Sequence, residues 1–126
     1  MFTSFLAFLC TGAPRPPTSL SATTVNACVV DITWELERSV SPGFAQPLSV
    51  IFEVFVLGSE QYLTFVPIGS VNLIDDPQPT SFRGMVPPGG DNSTYNLRAR
   101  ASNPLTGEGD DFLASDIFMA YNTQGG

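Results

Sequence analysis

The chain has 126 residues, 43% of them apolar and 11% aromatic, which suffices for a single hydrophobic core and excludes a disordered chain. Charged residues make up only 13%, about half the usual share, and twelve acids against five bases give a net charge of −7, which opposes nucleic-acid binding because phosphate contacts need a basic patch. Histidine is absent, so the commonest general base and the commonest metal ligand are both missing.

Residues 1–13 (MFTSFLAFLCTGA) are apolar and carry no charged side chain. They lack the basic leader of a secretory signal and fall short of the roughly 20 apolar residues of a membrane span. The expectation is an ordered apolar arm. Its residues Phe2, Phe5, Leu6, Phe8 and Leu9 need cover, because an exposed run of this kind is an aggregation liability. Either the arm lies on its own domain as an extra strand, or it docks on a neighbouring subunit.

Pro14-Arg15-Pro16-Pro17 is a stiff, extended linker, and the domain proper is read as residues 14–122, with a polar tail at 123–126. Leu20 and Ala22 begin a first strand. Cys28, Val30, Ile32 and Trp34 then share one face of a second, with the single tryptophan expected at the centre of the core. After a Ser/Pro/Gly loop at 39–47, residues 48–57 are apolar on both faces, Val50, Phe52, Val54 and Val56 against Ile51, Phe55 and Leu57. A strand buried on one side only has no need of the second set.

Gly58-Ser59 turns the chain into a fourth strand at 62–66, and 67–79 reads as a loop. Phe82 and Gly84-Met85 form a short strand closed by Pro87-Pro88-Gly89-Gly90. Next comes the clearest element, Tyr95-Asn96-Leu97-Arg98-Ala99-Arg100-Ala101-Ser102-Asn103, a strict alternation with Tyr95, Leu97, Ala99 and Ala101 inward and Asn96, Arg98 and Arg100 outward. A loop at 103–111 leads to a last strand near 117–121. With eleven Gly and eleven Pro for turns, the sequence predicts an all-β, seven-stranded antiparallel β-sandwich.

These residues resemble a fibronectin type III domain from residue 16 to about residue 121. Pro17-Thr18-Ser19-Leu20-Ser21-Ala22 is similar to the entry strand, and Trp34 follows Leu20 at the spacing of the family's core tryptophan. Gly84-Met85-Val86-Pro87 is similar to Gly-Leu-x-Pro at the end of the fifth strand, and the stretch from Tyr95 to Asn103 is similar to Tyr-x-Val-x-Val-x-Ala-x-Asn of the sixth. Gly107-Glu108-Gly109 with Ser115 fits the lead into the seventh. The resemblance implies a structural core of Trp34, Tyr95 and Leu97, with Tyr95 as a tyrosine-corner residue whose hydroxyl bonds to backbone upstream.

No nucleophile has a histidine to activate it, and no Gly-rich loop leads from a strand into a helix, so the expectation is no enzyme, no catalytic residue and no cofactor. Loop acids Asp75, Asp76, Glu108, Asp110 and Asp111 lack calcium-site spacing and are read as solvated charges, leaving no metal site. Cys10 and Cys28 would staple the arm to the domain in an oxidising compartment; the alternative is two separate thiols, with Cys28 a small core residue. Asn92-Ser93-Thr94 has the form of an N-glycosylation acceptor.

The surface singled out for contact is the outer face where Ile51 and Phe55 neighbour Arg98 and Arg100, because apolar area beside arginine is typical of an interface. The leading reading is a structural or assembly module at a virion surface or in an extracellular or cell-surface object, such as a decoration, tail or appendage protein. Its partners would be other protein subunits, of the same or a different chain. The alternative is adhesion to carbohydrate or a host receptor through the loops 39–47, 67–79 and 103–111.

Overall fold

The computed structural model describes residues 12–26, 28–37, 43–57, 64–75, 77–87, 93–109 and 111–120, and only the backbone of residues 93 and 113–120. Phe2, Phe5, Leu6, Phe8, Leu9, Cys10, Tyr62, Asp76, Asn92 and Asp110 lie outside the described residues. Alternating side chains build strands β1 (Ser19–Thr24), β2 (Val29–Glu35), β3 (Ser49–Val56), β4 (Val66–Asn72), β5 (Ser81–Met85) and β6 (Ser93–Asn103). A two-residue segment, β7 (Gly107–Glu108), and the strand β8 (Phe112–Ala120) complete them, and no helix occurs among the described residues.

Two antiparallel sheets form a sandwich of seven full strands. The smaller sheet has the order β1-β2-β5, and the larger has β4-β3-β6 with both β7 and β8 on β6. Val50, Phe52, Val54 and Val56 of β3 and Tyr95, Leu97, Ala99 and Ala101 of β6 point inward with no exposed surface, meeting Leu20, Val30 and Ile32 from the other sheet. Each buried Val, Leu, Ile or Phe side chain contributes about 1.5–3 kcal/mol, so this interlayer supplies the main favourable term. The Tyr95 hydroxyl donates to the carbonyl oxygen of Pro87 at 2.6 Å, which ties β6 to the chain leaving β5 in the geometry of a tyrosine corner.

The centre of the core belongs to Phe52 rather than to Trp34. Phe52 has no exposed surface, and its ring lies 5.2 Å from Trp34 and 5.1 Å from Phe82, the latter nearly parallel at 11°. Trp34 has the expected inward phase but is only half-buried, because it sits near the end of β2 where the sandwich opens.

The fourth strand is also displaced from its expected position. It runs through Val66–Asn72, so that residues read as the start of a loop are strand. Pro67 and Gly69 look like loop punctuation, but β4 is an edge strand, where a missing N–H costs no ladder bond. Opposite Phe52 and Glu53 stand Gly69 and Pro67, so Ile68 is the extra residue of a β-bulge. Gly69 has φ 146°, and a Cβ there would overlap the Phe82 ring. The last strand likewise starts earlier than expected, at Phe112, and the 103–111 loop is shortened by β7 pairing back onto Ser102 and Asn103.

Gly69→Ala should destabilise the domain by about 1–3 kcal/mol, through crowding of Phe82 and the backbone conformation it needs. A urea denaturation midpoint measures this, and a midpoint equal to wild type would contradict the packing described.

Candidate functional site: the outer face of the larger sheet

The two solvent-facing surfaces of the sandwich are chemically different. On the smaller sheet, Ser21 Oγ and Thr33 Oγ1 are 2.9 Å apart, and Arg83 forms a two-pronged pair with Asp31 at 2.7 and 2.9 Å. Hydrogen bonding to Arg83 lowers the Asp31 carboxyl below its ordinary range, and the guanidinium is raised in turn. Hydroxyls and one exposed ion pair cover most of this face, with Met85 exposed beside Val29 at its end.

The outer face of the larger sheet has a buried carboxylate at its middle. Alternation along β3 sends Ile51, Glu53 and Phe55 outward, and register places Arg100 opposite Ile51, Arg98 opposite Glu53 and Asn96 opposite Phe55. Glu53 is only 8% exposed. Arg98 Nε and Nη2 reach its Oε1 at 2.8 and 2.7 Å, while Arg100 Nη2 donates to Oε2 at 3.1 Å and Nη1 lies 2.9 Å from Oε1. Hydrogen bonds from Arg100 first, and then from Arg98, hold the Glu53 carboxyl below the usual glutamate range against the opposing effect of burial.

The arginines are themselves held by more acids. Arg100 Nε donates to Glu108 Oε1 at 2.6 Å, and Asp111 bridges both guanidiniums, 3.3 Å from Arg100 Nη1 and 3.4 Å from Arg98 Nη1. Glu53 first, with Glu108 and Asp111, raises the Arg100 guanidinium above its ordinary value. The Arg98 guanidinium also lies 3.9 Å from the centroid of the Phe65 ring, and Phe65 leans on Phe55 at 5.7 Å. Ile51 and Phe55 are half-buried, and Leu57 is exposed.

The structure therefore brings together the expected Ile51, Phe55, Arg98 and Arg100, and adds Glu53, Phe65, Glu108 and Asp111. Glu53 is the only charge in the apolar run 48–57, and an acid in a strand buried on both faces demands a cation on the neighbouring strand. That was the available signal. Glu108 and Asp111, read as solvated loop charges, are bound to arginine instead. Cys28 lies half-buried at the start of β2, and its expected partner Cys10 is outside the described residues.

At the other end of β3 the chain enters the domain. Gly12 N donates to Gly43 O at 2.8 Å and Gly12 O accepts from Ala45 N at 2.9 Å, a parallel bridge beside Phe44. Pro14 and Pro17 are buried, and Arg15 pairs with Glu37 at 3.2 Å with its guanidinium 5.1 Å from the Phe44 ring centroid. Among the described residues no group of His, Cys, Asp and Glu is arranged to hold a metal, and no helix is long and apolar enough to cross a membrane.

This arrangement of sheets gives the chain a fibronectin type III-like fold. No family model matches it, and neither does any curated protein sequence. Among solved structures it is similar to a crystal structure of titin domains, with TM-score 0.64 and 18% identity over 86% of this chain and 32% of that one. It is similar also to the FN5 domain of Drosophila Lar, with TM-score 0.58 and 16% identity over 86% and 97% of the two chains. A third likeness is to the third fibronectin III domain of the human KIAA0343 protein, with TM-score 0.62 and 15% identity over 92% and 89%. The chain spans 17% of the titin kinase structure with its flanking domains and 32% of the other titin structure.

Glu53→Gln should lower stability by about 2 kcal/mol, since it removes the charge that two arginines are hydrogen-bonded to. Because the folded carboxyl is lowered, its contribution is fully present above the ordinary glutamate pKa of about 4.3 and is lost as pH falls through the lower folded value. The wild type should lose stability with falling pH in that window more steeply than Glu53→Gln, as read from chemical denaturation between pH 7 and pH 3. Parallel curves would contradict the clamp.

Proposed function

We propose that the protein is a non-enzymatic structural module that mediates protein–protein contacts in a larger extracellular or virion-surface assembly, as a decoration, tail or appendage component. The observation that carries this reading is the outer face of the larger sheet, where Ile51 and Phe55 flank two arginines fixed by Glu53. The outer face of the smaller sheet is more polar, with Ser21, Thr33 and the Arg83–Asp31 pair, and exposes a single methionine, Met85, beside Val29. Apolar and arginine surface held rigid is what a protein interface uses, because little side-chain freedom is lost on docking.

The uncharged arm, with Phe2, Phe5, Leu6, Phe8 and Leu9, would extend that contact onto a neighbouring subunit. Partners are other copies or other chains of the assembly. Nucleic acid is disfavoured by the net charge of −7, and each of the four described arginines is already paired with a carboxylate. In an oxidising compartment a Cys10–Cys28 bridge would fasten the arm to the start of β2. Thiol titration of the denatured chain distinguishes the bridge, with no reactive thiol, from two thiols.

Sedimentation velocity tests the assembly reading. The full chain should run above its monomer mass of 13.5 kDa, and both Phe55→Ser and removal of residues 1–13 should shift it towards that mass. A monomer that loses no stability when residues 1–13 are removed would overturn the proposal.

A further inference from the structure

A second surface lies where the sandwich opens beside Trp34. Between the end of β2, the entry to β3 and the approach to β5 is a groove of about 670 Å³. Its floor is apolar, made by the half-buried Trp34, Leu36, Pro47 and Pro79 and the buried Leu73. Its exposed polar lining is Glu35, Glu37, Gln46, Gln78 and Thr80, and no arginine lines it among the described residues. Asn103 fixes the Gln46 side by donating to the Gln46 carbonyl oxygen at 2.9 Å, so that wall is held in place.

The chain's own entry segment offers a neighbouring example of such a contact. In an adjoining niche, Leu36, Glu37 and Pro47 share the lining with the chain's own Arg15 and Pro16, from the segment Pro14-Arg15-Pro16-Pro17. There the arginine pairs with Glu37 at 3.2 Å and lies over the Phe44 ring, and Pro16 lines the same niche as Leu36, Ala45 and Pro47. An aromatic and proline-lined floor with carboxylates at its edge is suited to an extended polyproline segment bearing a cation, whose backbone is already ordered before binding.

We propose that the Trp34 groove takes a proline-rich, arginine- or lysine-bearing segment of a partner protein. The groove lies between the two sheets at one end of the sandwich and shares no residue with the Glu53 face. Its occupancy therefore stands or falls separately from the assembly reading.

Trp34 is the sole tryptophan, so its fluorescence in the full-length protein reports the groove directly. Titration with a synthetic proline-rich peptide carrying arginines should give a saturable change that weakens with added salt. The same peptide with glutamate for arginine should give none. Glu35→Lys and Gln78→Arg, two substitutions at exposed lining positions, should each weaken binding about fivefold or more while leaving the denaturation midpoint unchanged. The proposal is overturned if the full chain does not saturate, if the glutamate peptide binds equally, or if neither variant weakens binding. It is overturned equally if neutral oligosaccharides saturate the signal instead, or if the peptide binds only after residues 1–11 are removed, which would assign the groove to the chain's own arm.

Discussion

The structure depends on β3 being buried from both sides, with each side solved by different chemistry. Inward, Phe52 is gripped between Trp34 and Phe82 and joins the two sheets. Outward, the adjacent Glu53 is a carboxylate that burial would penalise by several kcal/mol if it stood alone. Two guanidiniums from β6 supply its hydrogen bonds, and Glu108 and Asp111 hold those guanidiniums in turn. An ion cluster of this kind is weak grounds for stability, since apolar residues could fill the same strand position. Its effect is specificity. It fixes the register of β3 against β6 and freezes two arginines in place, and a one-residue slip would put Glu53 into the core.

Much of this was legible in the sequence where the pattern was unbroken. The alternation from Tyr95 to Asn103 gave the phase of β6 without ambiguity, and the two-sided apolar run 48–57 marked β3 as central. Local signals mislead where tertiary context overrides them. Pro67 and Gly69 argue for a loop in any local scheme, yet an edge strand tolerates the proline, and the bulge uses the glycine to admit Phe82. Trp34 had the right phase but the wrong depth, because phase is set by its own strand and depth by how far the opposite sheet extends over it.

The candidate site was half legible for the same reason. Arg98 and Arg100 stand out as the outward positions of a clean strand, and Ile51 and Phe55 as surplus apolar residues. What joins them is Glu53, whose partners are 45 and 47 residues away in sequence. Only the antiparallel register of β3 and β6 sets them side by side, and no composition or spacing rule encodes that register. Phe65 was similarly hidden. It lies before β4, outside any strand, and acquires meaning only through Arg98 above it.

β6 connects the three chemistries of the molecule. Its inner face fills the core, its outer face carries the arginine clamp, and its last residue, Asn103, holds Gln46 at the wall of the Trp34 groove. Asn103 is itself buried, and its Oδ1 accepts from Leu105 N at 2.9 Å, so both ends of the amide are used and its direction is set. The proposed contact face and the proposed groove, both tied to one buried strand, would keep a constant distance and orientation. Two partners bound at once would therefore be related by the fixed geometry of β6 rather than by a flexible loop. This rigidity is the physical requirement for a module whose proposed role is to set the spacing between neighbours in an assembly.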